Sequence, residues 1–353
     1  MRTILISICQ IVLLYGLAIP VSCETTANTN PYFERANLNA ASPEALTELG
    51  VSMGAEETKF KGGCKPTIVK DGPAIPVYFA SASDKYGHFG IASKATGDYH
   101  DAQVKANIDD LTGQINKYLN TNKKANLLVF VHGCCQDFPC AYSSAAELAR
   151  ESKMPVLLYS WLSVPYHVTG PLTTIASHAG YSENEANCEV SQSMFRDFFT
   201  SLESRISYPN RVVLIAHSMG NRLLTSELEF RHEITKTNPS AKQFKAVIFA
   251  CADVPAQAFI KNKSAIAANC TNTWVLKNNI DAALDASSKV HNGRRLGNPN
   301  ELVEQIKGNG VVVVDIQTVR GKEHAMPYAI ITSLINGNKR AFQDSEPSLK
   351  IAK

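Results

Sequence analysis

From about residue 65 onward, short β-branched runs alternate with longer amphipathic stretches. The apolar runs predict strands over Ile75–Ala80, Asn126–Val131, Pro155–Ser160, Arg211–Ala216, Lys245–Cys251, Thr273–Leu276 and Val311–Thr318. Two of them, Leu127-Leu128-Val129-Phe130-Val131 and Val212-Val213-Leu214-Ile215, hold no polar position. A strand that is apolar on both faces needs cover on both, as in a parallel sheet flanked by helices. Helical periodicity fills the gaps at Asp101–Leu119, Ser143–Glu151, Glu185–Ile206, Asn221–Arg231 and Glu323–Leu334. Strand and helix in alternation predict a single α/β domain, doubly wound around a mostly parallel sheet.

That domain is expected over residues 62–338. Tyr166 to Asn187, rich in Ser, Thr, His, Gly and Asn, reads as a loop or lid over the sheet edge. Residues 24–61 read as a polar N-terminal extension, and 339–353 as a loose C-terminal tail. Before them, Arg2 precedes the apolar run Ile4–Val21, and the small residues Ser22 and Cys23 follow. This is the layout of a signal peptide over 1–23, removed on export to the periplasm or beyond. An uncleaved anchor is the alternative, since about 18 apolar residues just reach spanning length. Val21-Ser22-Cys23 also loosely suggests a lipoprotein site, and acylation of Cys23 would tie the protein to a membrane.

Composition narrows the classes further. With 44% hydrophobic and 19% charged residues the chain is core-forming. Lysine plus arginine (35) less aspartate plus glutamate (32) leaves +3, which gives no reason to expect a nucleic-acid partner. Seven cysteines lie in the domain: Cys64, Cys134, Cys135, Cys140, Cys188, Cys251 and Cys270. In an exported chain they imply at least one disulfide, with Cys134 or Cys135 to Cys140 as the short crosslink to examine. A metal site is not expected, because no His/Cys pair at ligand spacing completes a tetrahedral set around Cys134, Cys135 and Cys140.

The sharpest chemistry lies in Val212-Val213-Leu214-Ile215-Ala216-His217-Ser218-Met219-Gly220-Asn221-Arg222-Leu223-Leu224. A buried strand runs into a serine flanked two residues away by Ala216 and Gly220, and then into an amphipathic helix. A serine nucleophile needs a turn so tight that only small neighbours fit. The following helix N-terminus aims open amides at the site, so Met219 N–H can face a developing oxyanion. Upstream, Leu128-Val129-Phe130-Val131-His132-Gly133-Cys134 is a strand ending in His-Gly, and its loop is expected to supply the second oxyanion amide from Cys134.

A serine needs a histidine base, and the base needs an oriented acid. Three histidines follow Ser218. His232 ends the helix leaving the elbow and points away, and His291 sits in a loop near Arg294 and Arg295. His324 follows the run Val311–Thr318 after a short loop, which suits a base swinging back to the serine. For the acid, Asp281 after Trp274–Ile280 leads, and Asp253 after Ala246–Cys251 is the alternative.

Ala-His-Ser-Met-Gly-Asn-Arg-Leu-Leu, Ala252-Asp253-Val254 with Phe259, Asp281-Ala282-Ala283-Leu284 and Arg295-Leu296-Gly297 together resemble a bacterial family of α/β-hydrolase-fold proteins largely of unknown function. Val77-Tyr78-Phe79-Ala80 and Tyr159-Ser160-Trp161 extend the likeness over about residues 75–335. The resemblance implies Ser218 as nucleophile, Asp281 as acid and His324 as base. It departs at Ile280, where the family has Asn, and at Ala325-Met326-Pro327-Tyr328, where it has Ser and aromatics. The function expected is a serine hydrolase acting without a cofactor on a small-molecule or lipid carboxylic ester. The same machinery could serve a thioesterase, an amidase or an acyltransferase, and a non-catalytic binding protein is the alternative from another class.

Overall fold

Ten strands form one sheet in the order β10-β9-β8-β7-β6-β4-β5-β1-β2-β3. The structure is a computed structural model and describes residues 30–33, 66–83, 85, 87–165, 173–237, 243–317, 324–337 and 351–352, with backbone alone for 173–179 and 351–352. Residues Pro31–Lys353 make one compact unit, and the expected signal peptide lies outside the described residues. In chain order the elements are β1 (Val77–Ser81), β2 (Phe89–Ala92), β3 (Gln103–Lys105), α1 (Ile108–Thr121), β4 (Leu127–Val131), α2 (Phe138–Ser152), β5 (Val156–Ser160) and α3 (Thr173–Arg205). They continue with β6 (Val212–His217), α4 (Gly220–Thr235), β7 (Phe244–Ala250), α5 (Ala256–Ala267), β8 (Cys270–Lys277), α6 (Ala282–Val290), α7 (Val303–Ile306), β9 (Val311–Asp315), α8 (Tyr328–Ile335) and β10 (Ile351–Ala352).

β1 and β4 to β9 pair in parallel, whereas β2, β3 and β10 add antiparallel edges. Every residue of β4, β5 and β6 is buried, as their unbroken apolar sequences require. Alternate side chains divide between two cores. Leu127, Val129 and Val131 meet Leu111 of α1, Phe199 of α3 and Leu224 of α4. Leu128 and Phe130 face Tyr142 and Ala145 of α2 and Ile331 of α8. The sheet is thus covered on both sides, in the α/β-hydrolase arrangement.

Several departures from the sequence reading have local causes. α3 begins at Thr173 and runs for 33 residues, so most of the stretch expected as a loop or lid is helix. Its Ser, Thr and Asn content masks a helix whose Tyr181, Asn184, Glu185 and Cys188 are buried. Tyr32 and Phe33, within the expected polar extension, sit in the core, and Asn262 Nδ2 donates to the Tyr32 hydroxyl at 3.0 Å. Ile351 and Ala352, within the expected loose tail, pair with Val314 and Val313 at the sheet edge.

The topology marks one place for chemistry. The chain leaves β4 to build β5 on one side and later returns to lay β6 on the other. Ligands of open α/β sheets bind at the carboxyl ends of strands where the order reverses in this way. β4 ends at His132-Gly133 and β6 at His217-Ser218, so the reversal brings these two segments together. Their backbones approach closely. A Cβ on Gly220 would fall 2.2 Å from the His132 carbonyl oxygen, and one on Gly133 would fall 3.0 Å from Ser218 Cβ.

Gly220→Ala is therefore expected to lower unfolding free energy by about 1–3 kcal/mol, the usual cost of overpacking. Gly113→Ala, at an exposed position of α1 with nothing within 4 Å of the added carbon, is expected to raise it by about 0.5–1 kcal/mol. Urea titration of both variants measures the two signs.

Candidate active site

Ser218 sits between β6 and α4 with φ of 50°, in the left-handed region that non-glycine residues rarely take. Its backbone is tied down on both sides. Ser218 N–H donates to the Ala250 carbonyl at 3.1 Å, while its own carbonyl accepts from Asn221 N–H at 3.1 Å and Asp253 N–H at 3.2 Å. Asn221 Nδ2 donates to that same carbonyl at 3.0 Å and to Ala250 O at 3.2 Å. Such over-determination holds a strained conformer in place. Met219 stands at the N-cap of α4, and among the described residues its N–H donates to no protein group.

His324 comes from the segment before α8. Its Nε2 lies 2.7 Å from Ser218 Oγ and its Nδ1 lies 2.7 Å from Asp281 Oδ2. A carboxylate only accepts, so Nδ1 carries the proton and Nε2 is left to accept from the serine hydroxyl. Asp281 caps α6, and its second oxygen accepts from Leu284 N–H at 3.0 Å. Both oxygens of a fully buried carboxylate are thereby oriented. Ser218, Asp281 and His324, expected together from sequence, form one continuous hydrogen-bonded relay. His232 and His291 take no part in it, and His291 Nε2 instead pairs with Glu185 Oε1 at 2.7 Å.

Asp253, the alternative acid, is placed elsewhere. Arg222 Nη2 donates to its Oδ2 at 3.0 Å, the Tyr181 hydroxyl donates to the same oxygen at 2.7 Å, and Ser287 Oγ donates to its Oδ1 at 2.7 Å. Arg222 also donates to Glu185 at 2.9 Å and to the Asp253 carbonyl at 3.0 Å. Burial alone would push the Asp253 carboxyl up, but the Arg222 and Arg295 guanidiniums overcome it and hold the group well below the usual carboxylate range. This network buries its charges behind the elbow, and the carboxylate of Asp253 makes no bond to His324.

One group shows in the sequence only as the end of a strand. The His132 imidazole is fully buried and stacked on Trp161, with centroids 5.4 Å apart and planes 12° from parallel. Its Nδ1 lies 2.8 Å from the Gly133 carbonyl, which only accepts, so Nδ1–H is the donor. Ser160 Oγ lies 3.4 Å from Nε2, and Trp161 Nε1–H donates to the His132 carbonyl at 2.8 Å. The Gly133–Cys134 peptide is trans, so fixing its carbonyl on the imidazole turns the Cys134 N–H the opposite way. Among the described residues that N–H also has no protein acceptor. Two amides, of Cys134 after β4 and of Met219 after β6, are thus without a protein acceptor among the described residues.

Cys251, Asp281 and His324 bring potential metal-ligand atoms within 4.8 Å of one another. The Asp281 and His324 atoms are committed to the relay, which a cation there would have to break. Among the cysteines, Cys134, Cys135, Cys188, Cys251 and Cys270 are reduced thiols, and Cys140 is disulfide-bonded. The short crosslink expected from Cys134 or Cys135 to Cys140 is not formed. Alongside the loop after β4, a cleft of about 420 Å³ opens between Phe138, Trp161, Leu162 and Val164. No helix among the described residues is long and apolar enough to cross a membrane.

Fold and relay together define an α/β hydrolase with a serine, a histidine and an aspartate at its sheet reversal. The chain belongs to the family described as alpha/beta hydrolase of unknown function (DUF900), whose model matches residues 108–332. Among solved structures it is similar to esterase PE8, at 12% identity and a TM-score of 0.35, covering 60% of this chain and 92% of that one. A Pyrobaculum calidifontis esterase is similar at 11% identity and a TM-score of 0.34, covering 61% of this chain and 77% of that one. A comparison with curated proteins finds no match.

Burial lowers the His132 pKa from its ordinary 6.5 to about 4, against the opposing pull of the Gly133 and Trp161 backbone bonds. The unfolded chain takes up this proton near pH 6.5, whereas the folded protein refuses it until about pH 4. The stabilisation is complete above pH 6.5 and is lost as pH falls towards 4, by about 3 kcal/mol in all. His132→Asn, whose side-chain amide can still donate to the Gly133 carbonyl, should flatten that slope. Denaturant unfolding between pH 7 and pH 4 checks it.

Proposed function

We propose that the protein is a serine hydrolase that cleaves a carboxylic ester through an acyl-serine intermediate. The observation that carries this reading is the unbroken relay from Asp281 through His324 to Ser218, with 2.7 Å at each link. In it, His324 Nε2 takes the hydroxyl proton as Ser218 Oγ attacks the ester carbonyl. Asp281 holds the imidazole in the required tautomer and offsets the charge of the imidazolium that forms. The negative oxygen of the tetrahedral intermediate is held by the Met219 and Cys134 amides, whose dipoles need no reorganisation as charge develops. Collapse of the intermediate sends the His324 proton to the departing alcohol. A water, deprotonated by the same nitrogen, then releases the acid and restores Ser218.

The cleft lined by Phe138, Trp161, Leu162 and Val164 gives room for an apolar part of a small-molecule or lipid ester beside the oxyanion loop. No step requires a cofactor. The working compartment under this proposal lies outside the cytoplasm, a reading supported by the leader over residues 1–23 and by the disulfide at Cys140.

Ser218→Ala is expected to fold normally and to lower ester turnover by on the order of 10⁴- to 10⁶-fold. Asp281→Asn should lower kcat by roughly 10⁴-fold through loss of the tautomer. Wild-type protein should be labelled covalently by a fluorophosphonate at Ser218, and Ser218→Ala should not. Turnover of a panel of short- and long-chain esters by both proteins measures the first effect. Equal rates in the two would overturn the proposal.

The mature protein isolated from its host is expected to lack residues 1–23. Intact-mass measurement decides this, and a retained leader on a cytoplasmic protein would refute it.

A further inference from the structure

Of the reduced cysteines, Cys188, Cys251 and Cys270 are buried, whereas Cys134 and Cys135 are only half-buried. Their Sγ atoms lie 2.7 Å apart, closer than unbonded sulfurs ordinarily stand and not far above the about 2.0 Å of a disulfide bond. The pair makes up the turn between β4 and α2, and Cys135 takes φ of 66°. Both ends of this turn are anchored. His132 fixes the Gly133 carbonyl on one side. On the other, Gln136 N–H donates to Ser163 Oγ at 3.3 Å and Asp137 accepts from Cys140 N–H at 3.1 Å. Cys140 is itself disulfide-bonded. A change inside the two-residue turn therefore cannot be absorbed by sliding its ends. It falls first on the Cys134–Cys135 peptide and the backbone torsions of Cys134, and through them it strains the His132–Gly133 bond that aims the Cys134 amide.

We propose that Cys134 and Cys135 form a second reactive site, a vicinal dithiol that takes two-electron thiol oxidants such as organic disulfides, and that closing it withdraws the Cys134 amide from the oxyanion position and slows turnover. The proposal rests on the hydrolase reading above. In the step, one cysteine thiolate attacks the reagent RSSR, forming a mixed disulfide and releasing RSH. The neighbouring thiolate then attacks the protein sulfur of that mixed disulfide and expels the second RSH. The two cysteine sulfurs are oxidised, the reagent is reduced, and both thiol protons end on RSH. Consecutive residues hold their Cα atoms about 3.8 Å apart, below the usual range of about 4.4–6.8 Å for a disulfide. The bond formed is strained, and strained exposed disulfides are the readily reduced ones. The pair is thus built to open and close, unlike a structural crosslink.

The test uses the full chain treated with diamide, which accepts the same two hydrogens and leaves no adduct, followed by reduction. In wild type, the peptide carrying both residues should lose the mass of two hydrogens while kcat falls by on the order of 10²-fold, the effect of removing one oxyanion donor. A mild reductant should restore both. Cys135→Ser should keep the kcat of the reduced wild type and lose the response, with its Cys140 crosslink present throughout as an internal control. A closed pair with unchanged kcat would overturn the proposal, as would an equal loss of activity in Cys135→Ser. Reduced wild type that neither hydrolyses esters nor takes a fluorophosphonate would overturn the hydrolase reading instead. The two failures are distinguishable because the mass of the pair is read without turnover.

Discussion

Two backbone segments, one leaving β4 and one leaving β6, lie closer together than any pair of ordinary side chains would allow. Gly133 passes over Ser218, and Gly220 tucks under the His132 carbonyl. Everything in the site depends on this interlock. Pressing the segments together sets the distance between the nucleophile and the amide of the opposite loop, and it does so with main chain, which has no rotamers to lose. The parallel pairing of β4 with β6 fixes the register that brings the two glycines opposite their partners. The apolar strands are therefore more than filler, since their burial holds the alignment at their ends.

Around that interlock the structure divides labour among polar groups that never meet the relay. Asn221 bridges the carbonyls of Ser218 and Ala250, and Arg222 holds the segment at Asp253 whose N–H bonds Ser218. His132 and Trp161 do the same for the opposing loop. The strained conformation of Ser218 persists because each of its main-chain groups has a partner that would be lost on relaxation.

The parallel core and the strand-to-helix elbow were legible because their signals are local: unbroken apolar runs, and small residues on either side of Ser218. Asp281 and His324 were also legible, since each closely follows a recognisable strand. The burial of Asp253 was not, because Tyr181, Arg222, Ser287 and Arg295 reach it from four separate segments. Composition misled over Tyr166–Asn187, where polar residues suggested a loop but helix α3 runs from Thr173 and buries Asn184 and Glu185 among polar partners. β2 and β3 went unread because four and three residues on a half-exposed edge carry too short a pattern. The imidazole of His132 stayed hidden for a different reason. Its target is the carbonyl of the next residue, and no spacing rule announces such a bond.

The buried polar cluster formed by Glu185, Arg222, Asp253, His291 and Arg295 also bears on how the chain assembles. Its members are contributed by α3, α4, the end of β7 and the region after α6, and all are excluded from water. If any one segment fails to dock, the others are left with buried charge that has lost its counterpart, a state several kcal/mol less favourable than the complete set. Partly assembled forms of this half of the domain are thereby penalised, and the pieces are driven to come together as one cooperative unit. The cluster is an assembly checkpoint, placed directly behind the residue whose geometry tolerates the least error.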